Sequence, residues 1–575
     1  MSDRMRVIPF DKLVNWIIEE YRQEDTIFGI SAKDFYPETT DNMSYCGEQL
    51  NRPLGPAAGP HTQLAQNLAA SYLTGGRFFE LKTVQILDRL TFPKPCINAA
   101  DECYNTEWST ELSIEEAYAE YVKGWFLLHL LGREFFNLKQ RNFIFNMSVG
   151  YDLAGIKSEK VNCFIEGMKD ASTAEIFTEC RTVIKQATER FNNIDENYID
   201  KISPFICNSI ALSTMHGCPH DEIEAICKYL ILEKKLHTHV KLNPTLLGYD
   251  YVRKTLDQMG YDYIKLSEKT FTDDLSYEEG IPMLQRLIAL AGKCGIEFGV
   301  KLSNTLPVLI NRDELPGDQM YLSGKPLYAL TINLAYKLAA EFDGKLNISY
   351  SGGADRNNTA KIYATGIKPI TVVTTLLKPG GYARLTKLAG IIEPGLKREF
   401  SRINLAALKN LSHESLVETT YQKKKKTGGS LKTYRQLPLF DCRESCSICV
   451  SVCPNRANIQ VEAAGNCYKY GHQILHLDGI CNECGNCATF CPFGGIPYRE
   501  KPTLFWFEED FTDSKNGGFQ LMTATPTPIF RIRSNNEIFE IGLSALNSDT
   551  VQAARLPLLT MIKIVYEHYR HTFLS

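Results

Sequence analysis

Lys345–Gly353 reads KLNISYSGG, and Ile370–Thr375 reads ITVVTT. Each is a short β-branched run that ends in residues suited to an anion. Gly352-Gly353 lets backbone N–H groups approach a phosphate, and the Thr374 and Thr375 hydroxyls add donors. Taken alone, Ser351-Gly352-Gly353 has an ordinary Gly-Gly turn as its alternative reading. Six runs of the same kind precede this pair: Arg52–Ala57, Arg77–Lys82, Asn142–Ser148, Pro204–Ser213, His239–Asn243 and Ile296–Ser303. Helical patterns lie between them. Leu112–Leu131 carries a capping box at Ser113/Glu116 with Gly132 as its stop, and Ser172/Glu175 caps the next helix. Asp221–Glu233, Tyr251–Met259, Pro282–Cys294 and Leu327–Phe342 follow. Strands alternating with helices mean parallel βα units, and eight of them predict a (β/α)₈ barrel. A doubly wound sheet would call for a G-x-G-x-x-G after a strand, and none is found.

The rest of the 575 residues divides around that barrel. Residues 1–45 read as an N-terminal helical extension, 46–411 as the barrel and 412–433 as a linker. The run Lys423-Lys424-Lys425-Lys426 beside Thr427–Ser430 reads as solvated linker. Residues 434–499 form a cysteine-rich module, and 500–575 a small mixed region with a strand over Phe530–Ile541 and a helix over Leu556–Tyr569. Net charge is −4, which asks for neither nucleic acid nor an anionic membrane. No leader is visible, and no segment approaches the ~20 apolar residues of a membrane span. A cytoplasmic location is expected, and with it reduced thiols for the 18 cysteines.

Eight of those cysteines carry the strongest signal. Cys481-x₂-Cys484-x₂-Cys487-x₃-Cys491-Pro492 has the bacterial ferredoxin spacing. The earlier run, Cys442-x₃-Cys446-x₂-Cys449-x₃-Cys453-Pro454, has a first gap one residue longer. In such pairs the cysteine before proline ligates the other cluster. One [4Fe–4S] cluster then takes Cys442, Cys446, Cys449 and Cys491, and the second takes Cys481, Cys484, Cys487 and Cys453. Structural zinc suits one isolated pair of cysteines, not two tandem runs of four. Cys467, between the runs, reads as a plain thiol.

A barrel ahead of two one-electron centres calls for a group that also handles electron pairs, and flavin is the usual one. Lys82 and Lys241 interrupt apolar strands near their C-terminal ends, where such barrels keep their active sites. Buried lysine needs a partner, and an anionic reduced flavin offers one. Each alone also reads as a snorkelling lysine.

These residues reach a family resemblance. Pro53–Gly59, Glu80-Leu81-Lys82-Thr83, Val240-Lys241-Leu242, Ser303-Asn304-Thr305 and Ser323–Leu327 resemble, in order, motifs of dihydroorotate and dihydropyrimidine dehydrogenases. The Gly352-Gly353 and Thr374-Thr375 pairs fall in the same order. The barrel-then-clusters arrangement is similar to the FMN-containing portion of dihydropyrimidine dehydrogenase. Gly217-Cys218-Pro219 running on to Glu222-Ile223-Glu224 most resembles the barrel half of proteins described as selenate-reductase iron–sulfur subunits. The resemblance implies FMN held by Ala58, Lys82, Lys241, Asn304, Gly324, Gly353, Thr374 and Thr375, with Asn146 facing flavin or substrate.

It also implies hydride exchange with a small cyclic or unsaturated substrate, with Cys218 as the proton-handling residue and His216 or His220 as substitutes. Electrons would pass through the clusters to or from a separate NAD(P)H-linked flavoprotein and other iron–sulfur subunits. One departure stands out. Where the family's fourth strand carries a substrate-binding Asn, this chain has Ala211, with Asn208 nearby. That departure leaves open a non-catalytic electron-relay or docking subunit.

Overall fold

Eight short, largely buried strands set the architecture: β1 (Leu54–Pro56), β2 (Phe78–Glu80), β3 (Ile144–Val149), β4 (Ser209–Ser213), β5 (His237–Leu242), β6 (Phe298–Leu302), β7 (Asn347–Tyr350) and β8 (Ile370–Val372). They form one sheet in the order β1-β8-β7-β6-β5-β4-β3-β2, with every paired neighbour parallel. The ends approach as well. Arg77 N–H donates to the Leu54 carbonyl at 2.8 Å, and a side chain at Gly55 would collide with the Phe78 carbonyl. The result is the (β/α)₈ barrel expected from the alternation of elements. All eight expected runs hold a strand, although Pro204–Asn208 lies before β4 and is not part of it. This computed structural model describes residues 4–38, 43–215, 217–424, 436–442, 446–463, 467–524, 527–547 and 555–574.

Helix limits follow local chemistry. Ile114–Phe136 starts at the expected capping box, with the Ser113 hydroxyl accepting from Glu116 N–H. It does not stop at Gly132. That glycine packs against the Tyr72 hydroxyl, and the helix ends at Asn137 in the left-handed region. Ser172 is not a cap: Glu175–Gln186 begins at Ala174 with no side-chain cap. A further helix, Glu159–Lys169, escaped the sequence reading. At the barrel floor the hairpin Met43–Tyr45/Glu48–Leu50 packs Tyr45 and Leu50 against Phe78 and Ile144. At the mouth, chain following β2 and β6 builds a four-stranded antiparallel sheet.

The chain divides into two compact units. One comprises Asp34–Leu376 and Tyr382–Thr427, and the other the described parts of Met1–Lys33, Leu377–Gly381 and Gly428–Ser575. This redraws three expected limits. Leu405–Val417 is a helix of the barrel unit, so no linker begins at Ser412. Lys423 is not solvated: it pairs with Glu102 at 2.7 Å and Asp101 at 2.9 Å, while Lys425 and Lys426 lie outside the described residues. The first 33 residues pack in the cysteine-bearing unit, where Arg456 Nε donates to the Phe28 carbonyl at 2.7 Å.

In that second unit, β9 (Asn458–Glu462), β10 (His472–Leu477), β11 (Thr503–Phe505), β12 (Gly518–Thr523), β13 (Ile529–Ser534) and β14 (Glu537–Gly542) form one six-stranded sheet in chain order. β10 pairs in parallel with β11, so the cysteine module and the tail share a sheet, with no boundary at 499/500. The strand expected over Phe530–Ile541 is a hairpin, turned at Asn535-Asn536 where both residues have positive φ. The final helix, Leu556–His568, lies where its pattern placed it.

Candidate functional site

At the C-terminal ends of β7 and β8, two glycines with positive φ come together: Gly353 (+72°) and Gly324 (+77°), the residue that opens helix Lys325–Glu341. A Cβ on Gly353 would lie 2.5 Å from the Gly324 carbonyl, and one on Gly324 would lie 3.2 Å from Thr374 Cγ2. Ser323 and Thr374 share a hydroxyl hydrogen bond at 2.9 Å, and Thr375 Oγ1 donates to the Ala354 carbonyl at 2.9 Å. Among the described residues, no protein acceptor takes the backbone N–H of Gly353, Thr374 or Thr375. Two glycines packed backbone against backbone, beside N–H groups with no protein acceptor, suit a phosphate. Ala58, half-buried, follows β1, the neighbour of β8.

The lysines have partners of their own. Lys82 pairs with Glu107 at 3.2 Å. Lys241 pairs with Glu80 at 2.8 Å and donates to Ser148 Oγ at 3.0 Å. Lys301 pairs with the other oxygen of Glu80 at 2.7 Å and donates to Thr371 Oγ1 at 2.5 Å. All three lysines are buried and their companions are carboxylates, where the sequence offered Lys82 and Lys241 a flavin or a snorkelling position. Burial would raise the Glu80 carboxyl, but Lys241 and Lys301 outweigh it and hold the group at about 2.

Asn146 pairs with Glu80 in register and lines a small cavity with Tyr45, Ala211 and His239, where its Oδ1 has no hydrogen-bond partner among the described residues. Ser148, two residues further on, is the β3 residue that meets Lys241. Asn304 sits half-buried after β6, its amide reaching Thr214 Oγ1 at 3.3 Å. Thr214 in turn donates to the Lys241 carbonyl, and Met215 touches Thr305, so the loop after β4 lies across the strand ends.

Cys218 is half-buried on this loop. Burial first, then the carboxylates of Glu222, Asp274 and Asp152, push its thiol up to about 12. It keeps its proton at neutral pH, which suits an acid and excludes a resting thiolate. His220 is half-buried, and His216 lies outside the described residues. Asn208 turns to the floor, donating to the Cys46 carbonyl at 2.7 Å, so β4 presents no amide at the mouth.

In the second unit the thiols sort into two groups. Cys449 is pushed up by burial and by neighbouring Cys442, Cys446 and Cys491. Cys481 is pushed up by burial and by Cys453, Cys487 and Cys484. Cys487 is pushed up by burial, by Cys453 and also by Cys449, so the two groups of thiols adjoin. Cys453, Cys481, Cys484 and Cys487 line one cavity with Pro454 and Gly485. Backbone N–H groups of Ala457 and Glu483 donate to Cys453 and Cys481 sulfur at 3.2 and 3.3 Å. Four converging thiols with N–H···S bonds suit an iron–sulfur cluster. Cys467 sits apart, beside Tyr468.

Comparison with known proteins gives a family. Residues 28–424 match the family "Oxidoreductase YgfK, N-terminal TIM-barrel domain". The chain belongs to the YgfK family. Curated relatives named "Putative oxidoreductase YgfK", from Escherichia coli K12 and O157:H7, are each 46% identical over 472 residues, covering 80% of this chain and 46% of theirs. The chain thus spans about half the length of these relatives. A solved structure, the ligand-free DHODH of Eimeria tenella, matches at 15% identity and TM-score 0.38, covering 65% of this chain and 92% of its own. No helix among the described residues is long and apolar enough to cross a membrane.

The sequence reading of this YgfK-type barrel missed Glu80, Lys301 and Glu107. Lys301 showed the same signal as Lys241, a lone cation inside an apolar strand. Glu80 stands two residues before Lys82, on the same face of a strand with period two. Glu107 lies in a loop, and nothing in its flanks ties it to Lys82.

Proposed function

We propose that this chain is an FMN- and iron–sulfur-dependent oxidoreductase subunit of dihydropyrimidine dehydrogenase type. Its substrate is a small cyclic or unsaturated molecule, and its electrons go to or come from an NAD(P)H-linked flavoprotein. The unpartnered N–H groups beside the packed glycines Gly324 and Gly353, together with the lysine-rich barrel interior, support this reading. They fit one phosphate and an anionic ring system. When bound, FMN supplies hydride exchange, and two [4Fe–4S] clusters supply one-electron transfer.

The chain's own residues do the rest. The free N–H groups of Gly353, Thr374 and Thr375 hold the phosphate. Lys82, Lys241 and Asn304 orient the ring. The loop after β4 covers the strand ends and excludes water, and Cys218 holds the proton that the substrate gains. A relay or docking role is favoured by one observation: Asn208 is spent on the Cys46 carbonyl, so β4 offers no amide to a substrate. Anaerobic addition of dihydropyrimidines to the purified chain tests the choice. Bleaching of the flavin absorbance supports a substrate site. Bleaching only by a reduced partner flavoprotein supports the relay.

A further inference from the structure

Residues 418–424 follow the last helix of the barrel unit, Leu405–Val417. Tyr421 is fully buried there, although the sequence suggested a solvated linker. Its hydroxyl donates to Asp355 Oδ1 at 3.1 Å, and its ring lies 4.5 Å from that of Tyr328. Both partners border Gly353. The Tyr328 backbone N and Cβ each lie 2.8 Å from where a Cβ on Gly353 would be. Asp355 comes two residues after Gly353, and Asn358 closes the turn between them. Its Oδ1 accepts from Asp355 N–H at 2.8 Å, and its Nδ2 donates to the Gly353 carbonyl at 3.1 Å. Lys423 serves the other glycine. Its ammonium pairs with Glu102 at 2.7 Å and with Asp101 at 2.9 Å. Asp101 also pairs at 3.6 Å with Lys325, the residue after Gly324. Next to Glu102, the Cys103 carbonyl accepts from Ser323 Oγ at 3.3 Å. The segment is itself pinned: Lys423 N–H donates to the Met259 carbonyl at 2.8 Å, and the Tyr421 carbonyl accepts from the Tyr261 hydroxyl at 2.9 Å.

A glycine has no side chain to pack, so its neighbours must set the direction of its backbone. Donors fixed before a ligand arrives cost less to order when it binds. We propose that Tyr421 and Lys423 are positioning residues of the phosphate site. They hold the loops of Gly353 and Gly324 so that the N–H groups beside them select a flavin that carries a phosphate over one that does not. Each acts through carboxyl partners: Asp355 for Tyr421, and Asp101 with Glu102 for Lys423. This inference rests on the proposed FMN site.

FMN and riboflavin differ only in the phosphate, and comparing them tests this. The full chain, depleted of flavin with its iron intact, is titrated anaerobically with each. Tyr421→Phe keeps the ring against Tyr328 and removes one hydrogen bond. FMN should then bind about fivefold more weakly, and riboflavin as tightly as before. This variant changes no charge, so its loss cannot come from repulsion of the phosphate. Lys423→Met strips Asp101 and Glu102 of their shared cation and should weaken FMN by about tenfold, again sparing riboflavin, and Lys423→Arg should restore it. Tyr421→Phe decides alone should Lys423→Met fail to fold. A role in the fold alone would weaken both flavins equally. Equal losses of FMN and riboflavin, or FMN binding unchanged in either variant, overturn the inference while leaving the flavin site standing. A natural protein that binds riboflavin as tightly as FMN overturns the phosphate site and this inference with it.

Discussion

The two candidate sites are assembled in opposite ways. The eight thiols lie between Cys442 and Cys491, and their grouping follows from spacing in two local loops. The mouth residues are spread from Ala58 to Thr375, and only barrel closure brings Gly324, Gly353 and Thr374 into contact. A locally written site depends on each ligand. A topological site depends on register, on close backbone approach and on how buried charges balance. The two should therefore fail differently.

Cys484→Ala should have the largest effect. The two loops exchange ligands through Cys453 and Cys491, so loss of one ligand should remove at least half of about eight irons and destabilise the unit. Iron analysis and thermal unfolding read both. Full iron content in this variant would remove Cys484 from the ligand set. Gly353→Asp comes next. Its Cβ would meet the Gly324 carbonyl at 2.5 Å, and its charge would repel a phosphate. The purified variant should lack flavin and keep its iron, because the damage is confined to the barrel.

Cys218→Ala should leave both cofactors in place and slow substrate turnover by about 10²–10⁴-fold, the range for a lost general acid. With the thiol at about 12, its ionisation should not appear in the pH–rate profile between roughly pH 6 and 9. Full activity in the alanine variant would clear Cys218.

How much of this was readable depended on what each element encodes. The strands announced themselves by β-branched runs at regular intervals, and the cysteines by spacing, because both are written in consecutive residues. The partners of the lysines were not. Glu80 meets Lys301 only because parallel register places β2 across the barrel from β6, and sequence distance carries no trace of that. Gly132 misled for a related reason: a glycine near a helix end looked like a stop, yet it serves the close approach of Tyr72. The packing of residues 4–33 with the cysteine unit was likewise invisible, since Arg456 and Phe28 are joined only in the fold.

Smaller effects sharpen the contrast. Glu80→Gln should destabilise the barrel by about 3–5 kcal/mol, as expected when two buried cations lose their counter-charge. Glu80 sits at about 2 in the fold against 4.5 when exposed, so its contribution is present above pH 4.5 and is lost as pH falls towards 2. Denaturant titrations across that range should show an acid limb that the variant lacks. Ser113→Ala should cost about 1 kcal/mol through its lost cap, whereas Ser172→Ala should cost close to nothing.

The most direct measurement is the cofactor content of the anaerobically purified full chain. Acid release followed by chromatography identifies the flavin, and metal analysis counts iron and zinc. The account predicts about one FMN and about eight irons per chain. FAD or no flavin would contradict the barrel site, and about four irons or stoichiometric zinc would contradict the two quartets.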